Sequence, residues 1–243
     1  MKRLRWLLII LAGLALVVIL KPYLLRIAAP ILLKIKGEAT VSDRIGQVGQ
    51  HARSRLLPHF SAAGVPYPPA AVILVGLKKE KRLDLYAGTG WGDLRFLTSY
   101  PILAASGSLG PKLREGDCQV PEGVYRIDSL NPNSLFHLSL HVAYPNDFDR
   151  EMAAKDGRSE LGGAIMIHGS SVSIGCLAMG DAAAEDLFVL AADTGLDNIK
   201  VILSPVDFRV GDMSIRGVNL PPWTGVLYAR IKDEMRKLPQ PKR

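Results

Sequence analysis

The chain has 243 residues, 30 Lys plus Arg against 23 Asp plus Glu, a net charge of +7, and two cysteines. Seven of the cations (Lys2, Arg3, Arg5, Lys21, Arg26, Lys34, Lys36) lie in residues 1–36, which hold no acid. Without them 23 basic residues face 23 acidic ones, so the remaining body is formally neutral. A neutral body excludes nucleic acid as the expected partner, because phosphate binding needs a basic patch on the folded domain, and the length suits one domain plus an anchor.

Trp6 to Leu20 is an unbroken run of fifteen apolar or glycine residues. As a helix, Trp6–Tyr23 reaches about 27 Å, has an aromatic residue at each end and lets Lys21 snorkel. The region after Leu20 reads Lys21-Pro22, with no small-x-small cleavage site in a good place. Residues 1–36 are therefore expected to be an uncleaved membrane anchor, with Tyr23–Leu33 along the membrane surface. Residues 37–66 read as a helical linker region. Val41, Ile45, Val48, Ala52 and Leu56 stand at helical spacing, Ser42 or Asp43 can cap the start, and Pro58 bends the end. That helix is expected to pack on the domain.

Residues 67–205 form the expected main body, mostly strands. Ala71–Leu77 and Arg82–Ala87 flank a charged turn, and Leu94–Ala104 follows with Pro101 marking an edge or bulge. Residues 107–123 read as a long loop, one wall of a cleft. Val124–Asp128 and Leu135–Val142 are strands. His137 and His141 fall on one face of the second; no third ligand has clear spacing, so the pair reads as an exposed polar face rather than a metal site. Residues 145–163 read as a loop, and Ala164–Ile167 as a short buried strand. A helix is expected at Ala182–Thr194, capped by Asp181 and stopped by Gly195, and Ile199–Leu203 closes the sheet. Residues 206–243 form a C-terminal extension with an amphipathic helix over Trp223–Leu238. The overall class is mainly β with flanking helices (α+β).

His168 stands at a strand end, and Cys176 on a tight loop before a helix. A thiol is a weak nucleophile at neutral pH until an imidazole takes its proton, and the same imidazole can then protonate a leaving amine. Gly175 permits a sharp turn, and the amides of Gly175 and Cys176 can face a developing oxyanion. A buried cysteine beside a hydrogen-bonded histidine is the competing reading of these two residue types.

His168-Gly169 followed by Ser173-Ile174-Gly175-Cys176 resembles the HG…S-x-G-C signature of the L,D-transpeptidase catalytic domain family (YkuD-like), closest to its YafK-like subgroup. Gly110–Asp117, Val120–Tyr125 and Tyr144-Pro145-Asn146 resemble the family's GD, PEG and YPN elements, so the likeness runs from Pro68 to Pro205. It implies a β-sandwich or barrel, a Cys176 nucleophile with His168 as base, Gly169 and Ser173 in support, and no metal or organic cofactor. It further implies peptidoglycan stem peptides as partner and an inner-membrane protein whose catalytic domain faces the periplasm. Amidase action on a wall-attached lipoprotein is the alternative outcome, and a non-enzymatic, membrane-tethered wall-binding module is a third. The chain departs from the family pattern at Ile174, where many members carry His. It also has a short His-to-Cys spacing, and Leu177-Ala178-Met179 stands where Arg or Asn is common. Cys118 reads as incidental to the chemistry.

Overall fold

In a computed structural model of the chain, residues 38–173, 175–210 and 220–241 are described. The expected anchor, Trp6–Tyr23, and Ile174 lie outside them. Among the described residues no helix is long and apolar enough to cross a membrane. Contacts divide the chain into Met1–Thr40 and Val41–Arg243; the second unit carries the fold described below.

Nine strands form one sheet: β1 (Ala71–Leu77), β2 (Arg82–Gly88), β3 (Leu94–Pro101), β4 (Ala104–Ala105), β5 (Gly123–Ser134), β6 (His137–Val142), β7 (Met166–His168), β8 (Leu177–Ala178) and β9 (Ile199–Ser204). Their order is β3-β2-β1-β9-β5-β6-β7-β8-β4. The two edge strands, β3 and β4, are joined by Ile102 and Leu103 alone. Two residues span only about 7 Å, so the sheet must curl until its edges meet. Strand β5 makes this possible: its first residues pair with β9 and its later ones with β6, through two register shifts. The result is one nine-stranded sheet with flanking helices, a mixed α+β fold.

Strand β1 is buried along its whole length, and its alternation explains why. Val72 and Leu74 enter one core cluster, while Ile73, Val75 and Leu77 enter another on the opposite face. Helix α1 (Val41–Ala63) feeds the first cluster with Leu56 and Phe60, four apart on one stripe. Helix α3 (Asp181–Thr194) adds Leu187, Phe188, Leu190 and Ala191 to the same cluster. Helix α4 (Thr224–Arg236) covers the second face with Leu227, Ile231 and Met235. Burying each of these large side chains contributes about 1.5–3 kcal/mol before chain entropy is charged against it.

Three expectations need correction. Residues 145–163 are not simply loop: they hold helix α2 (Asp147–Lys155), closed by a capping box in which Asn146 and Asp149 exchange side-chain and backbone bonds. Its Phe148 and Met152 dock on the second core cluster. Asp181 does not cap α3. The N-cap is Gly180, with no side-chain bond, and Asp181 Oδ1 accepts instead from Ser170 N–H at 2.7 Å. His137 and His141 do not form an exposed polar face: both are half-buried, His137 meeting Glu185 at 3.0 Å and His141 meeting Asp128 at 2.6 Å and the Gly163 carbonyl at 2.7 Å. Gly195 does end α3, at φ 85°, with its N–H bonded to Ala191 O.

Candidate active site

Register brings the strand of His168 beside the strand that follows Cys176. Strands β7 and β8 run parallel, with His168 opposite Ala178. Cys176 immediately precedes β8, in the turn that leads into it. On the other flank, antiparallel pairing puts Ser139 opposite His168 and His141 opposite Met166.

His168 is 1% exposed and its ring stacks on Phe136, with centroids 4.7 Å apart. Its Nδ1 lies 2.6 Å from the carbonyl oxygen of Gly169. A carbonyl only accepts, so Nδ1 carries the hydrogen and Nε2 keeps its lone pair. Burial pushes the imidazole below its ordinary pKa of 6.5, and the bond to Gly169 pulls weakly the other way. The ring is thus a neutral base at pH 7. Gly169 has a steric reason to be glycine. A Cβ there would stand 2.6 Å from Asp181 Oδ1 and 2.7 Å from the Phe136 carbonyl oxygen.

The Cys176 turn is held from two sides. Ser173 Oγ accepts from Cys176 N–H at 3.0 Å and donates to the Cys176 carbonyl at 2.5 Å. Gly175 adopts φ +89°, the conformation glycine tolerates best, and its N–H donates to Ser106 Oγ. Both amides proposed from the sequence for an oxyanion are thus engaged by serine hydroxyls in this conformation. The Cys176 thiol lies 3.5 Å from the Ala164 carbonyl oxygen. Leu177, Ala178 and Met179, the residues after the nucleophile candidate, are buried.

The loop expected over residues 107–123 ends at 122, because Gly123 opens β5, and it lies beside this turn, fastened by its motif residues. Asp117 accepts from the N–H groups of Leu113, Arg114 and Gln119 and from Lys112 Nζ. Burial opposes its charge, but Lys112 and the three amides outweigh it and hold the carboxyl below the usual range. Glu122 ties Gly110 N–H, Lys78 Nζ and the Tyr228 hydroxyl together. Burial depresses the Lys78 pKa even beside that carboxylate. Cys118 sits on this loop, exposed, with φ 54°. Its Cα would lie 3.9 Å from a Cβ built on Gly175. No disulfide joins it to Cys176.

Three contributors were not singled out from sequence. Phe136 falls in the expected strand Leu135–Val142 with nothing to mark it as a ring partner, and Ser106 lies 69 positions from Gly175, with no motif to mark it. The Ser139 hydroxyl, buried opposite His168, has no hydrogen-bond partner among the described residues. Among those residues no group of three or more His, Cys, Asp or Glu is placed to hold a metal ion.

Residues 70–203 match the YkuD family, the L,D-transpeptidase catalytic domain. The chain belongs to this family. Over 144 residues it is 35% identical to YafK of Escherichia coli K12, a protein provisionally named an L,D-transpeptidase, covering 57% of this chain and 55% of YafK. The chain thus spans about half the length of the curated relative it matches. Among solved structures it is similar to the helical cell shape determining protein Pgp2 of Campylobacter jejuni, at 22% identity and a TM-score of 0.46, covering 61% of this chain and 54% of Pgp2. It is also similar to L,D-transpeptidase 1 of Mycobacterium tuberculosis, at 16% identity and a TM-score of 0.31, covering 55% and 62% of the two chains.

Proposed function

We propose that this YkuD-family chain is a cell-envelope enzyme that carries out cysteine-dependent acyl transfer on peptidoglycan stem peptides. One observation carries the reading. His168 is oriented through Nδ1 by the Gly169 carbonyl, which leaves its Nε2 lone pair free, and its strand β7 pairs with β8, which begins directly after Cys176. Nε2 takes the thiol proton as sulfur attacks the carbonyl carbon of the diamino acid in the donor peptide. The oxygen of the tetrahedral intermediate is met by the Gly175 and Cys176 amides, which turn to it from the Ser106 and Ser173 hydroxyls. The C–N bond breaks, His168 protonates the leaving amine, and a thioester to Cys176 remains. An incoming amine gives a crosslink; water gives hydrolysis. His168 accepts the acceptor's proton in either case. Gly169 positions the base and Ser173 the nucleophile turn, and the chemistry draws on no cofactor.

A second reading keeps the nucleophile and makes water the acceptor, releasing protein attached to the wall. The buried Leu177-Ala178-Met179 stretch favours it, since it offers no polar side chain to fix an incoming amine. Purified protein incubated with stem-peptide fragments and with protein-linked fragments separates the two. Crosslinked dimers support transfer, freed protein supports hydrolysis, and neither product refutes both.

The apolar run from Trp6 to Leu20, with cations on both sides, supports an uncleaved inner-membrane anchor with the catalytic domain on the wall side. Full-length protein is then expected in the membrane pellet. A mature N-terminus just after residue 20 would contradict this.

A further inference from the structure

His168 has a register partner on each side. Ala178 of β8 brings a methyl group, and Ser139 of β6 brings a hydroxyl. The next row fixes the face: Leu140 pairs with Ile167, and both enter the first core cluster, so Ser139 and His168 point together to the other side. Directly opposed residues on antiparallel strands hold their Cβ atoms about 4.5–5.5 Å apart. The Ser139 hydroxyl therefore stands beside the imidazole.

Packing alone does not account for that hydroxyl. Ser139 is 1% exposed, and its Oγ has no hydrogen-bond partner among the described residues. A buried hydroxyl without a partner destabilises a fold, and alanine would occupy the same position without the penalty. The row beyond His168 is in fact alanine twice over, at Ala178 and Ala104. An idle polar atom next to the base points to a use in a state other than the resting one.

The resting ring has no need of it, because Nδ1 donates to the Gly169 carbonyl and Phe136 stacks on the face. The need arises when Nε2 takes the thiol proton and the ring becomes a cation in a buried place. Burial and the Gly169 carbonyl are what move its pKa, and neither is a charge. The titratable groups of the surrounding elements are engaged elsewhere. On β6, His137 is bound to Glu185 of α3 and His141 to Asp128 of β5; on α3, Asp181 accepts from Ser170 N–H. The Cys176 thiolate supplies a counter-charge only until its sulfur bonds to the carbonyl carbon. We propose that Ser139 is a positioning residue for the base, its hydroxyl turning its oxygen to the imidazolium that forms on His168. The hydroxyl keeps its own proton throughout, and the imidazolium passes its Nε2 proton to the leaving amine. The proposal rests on the acyl-transfer reading and adds a residue to it.

The test reads the ring as well as turnover. The His168 resonances, assigned by their loss in His168→Ala, are titrated by NMR in wild type, Ser139→Ala and Ser139→Thr. Thermal unfolding and steady-state kinetics on stem-peptide fragments are measured on the same proteins. Ser139→Ala is expected to unfold no lower than wild type, since an unpartnered hydroxyl has been removed. Its His168 is expected to titrate about one pH unit lower, because the cation has lost its partner, and kcat to fall about ten-fold with KM unchanged. Ser139→Thr keeps the hydroxyl and is expected to stay close to wild type in both. A His168 titration that Ser139→Ala leaves unchanged overturns the proposal, whatever happens to kcat. In that case product that still depends on Cys176 leaves the acyl-transfer reading standing. If Cys176→Ala forms product at the wild-type rate, that reading falls, and the role of Ser139 with it.

Discussion

Gly169→Ala tests whether the base is held by backbone packing. The added methyl would stand 2.6 Å from Asp181 Oδ1, 2.7 Å from the Phe136 carbonyl oxygen and 3.0 Å from His137 Cβ. The Asp181 side chain can move, but it would give up its bond to Ser170 N–H. The Phe136 carbonyl belongs to the backbone that carries the ring stacked on His168. Overpacking of this kind costs about 1–3 kcal/mol, or about 2–4 °C of melting temperature per kcal/mol in a domain of this size. The Gly169 carbonyl also holds His168 Nδ1, so displacing it loosens the imidazole and slows thiol activation. Gly175→Ala is the matched comparison. Its Cβ would have room, with nothing closer than 3.8 Å, but φ is +89°, and the left-handed strain costs about 1–2 kcal/mol. Urea unfolding and the pH profile of thiol alkylation are measured on both. Gly169→Ala should lower stability and shift the alkylation profile upward. If it is as stable as wild type with an unshifted profile, the packing argument for His168 is wrong.

Because burial lowers the His168 pKa, the base stays neutral to below pH 6.5, so turnover should fall only below that value, and His168→Ala should reduce it about 10²–10⁴-fold. Cys118→Ser should leave activity largely intact, although the residue lies against Gly175; a loss comparable to that of Cys176→Ala would give Cys118 a part in the chemistry. Burial pushes the Asp149 carboxyl up to about 6, against the Asn146 amide and the Tyr125 hydroxyl. The folded state therefore holds that proton more tightly, and stability should decline by about 3 kcal/mol as pH rises from near 4 to 6. Asp149→Asn should flatten that decline in urea titrations run across the pH range.

Alternation and turn chemistry made much of the fold legible: β1, β2, β3 and β9 lie close to where period-two burial and charged turns put them. Helix α2 escaped because Asp147, Asp149, Arg150 and Glu151 make its segment look like a loop. Its signals were local and readable, an Asn cap three residues before Asp149 and an apolar pair at Phe148 and Met152. Asp181 misled for the opposite reason. A carboxylate at a helix start is a good cap by type, but Gly180 occupies the cap position and Ser170 takes the side chain. At the site, His168 and Cys176 stand out by residue type and position, and Gly169 and Ser173 through the family resemblance. Ser106 does not, because the fold, rather than sequence proximity, brings it to Gly175.

The central claim is that Cys176 carries the acyl group. Protein exposed to donor stem peptides, quenched in acid and weighed intact should gain the mass of the peptide less that of the free terminal amino acid released, with the addition mapped to Cys176. The gain should vanish in Cys176→Ala and appear more slowly in His168→Ala. Wild-type levels of product from Cys176→Ala, with no adduct on the native chain, would contradict the account.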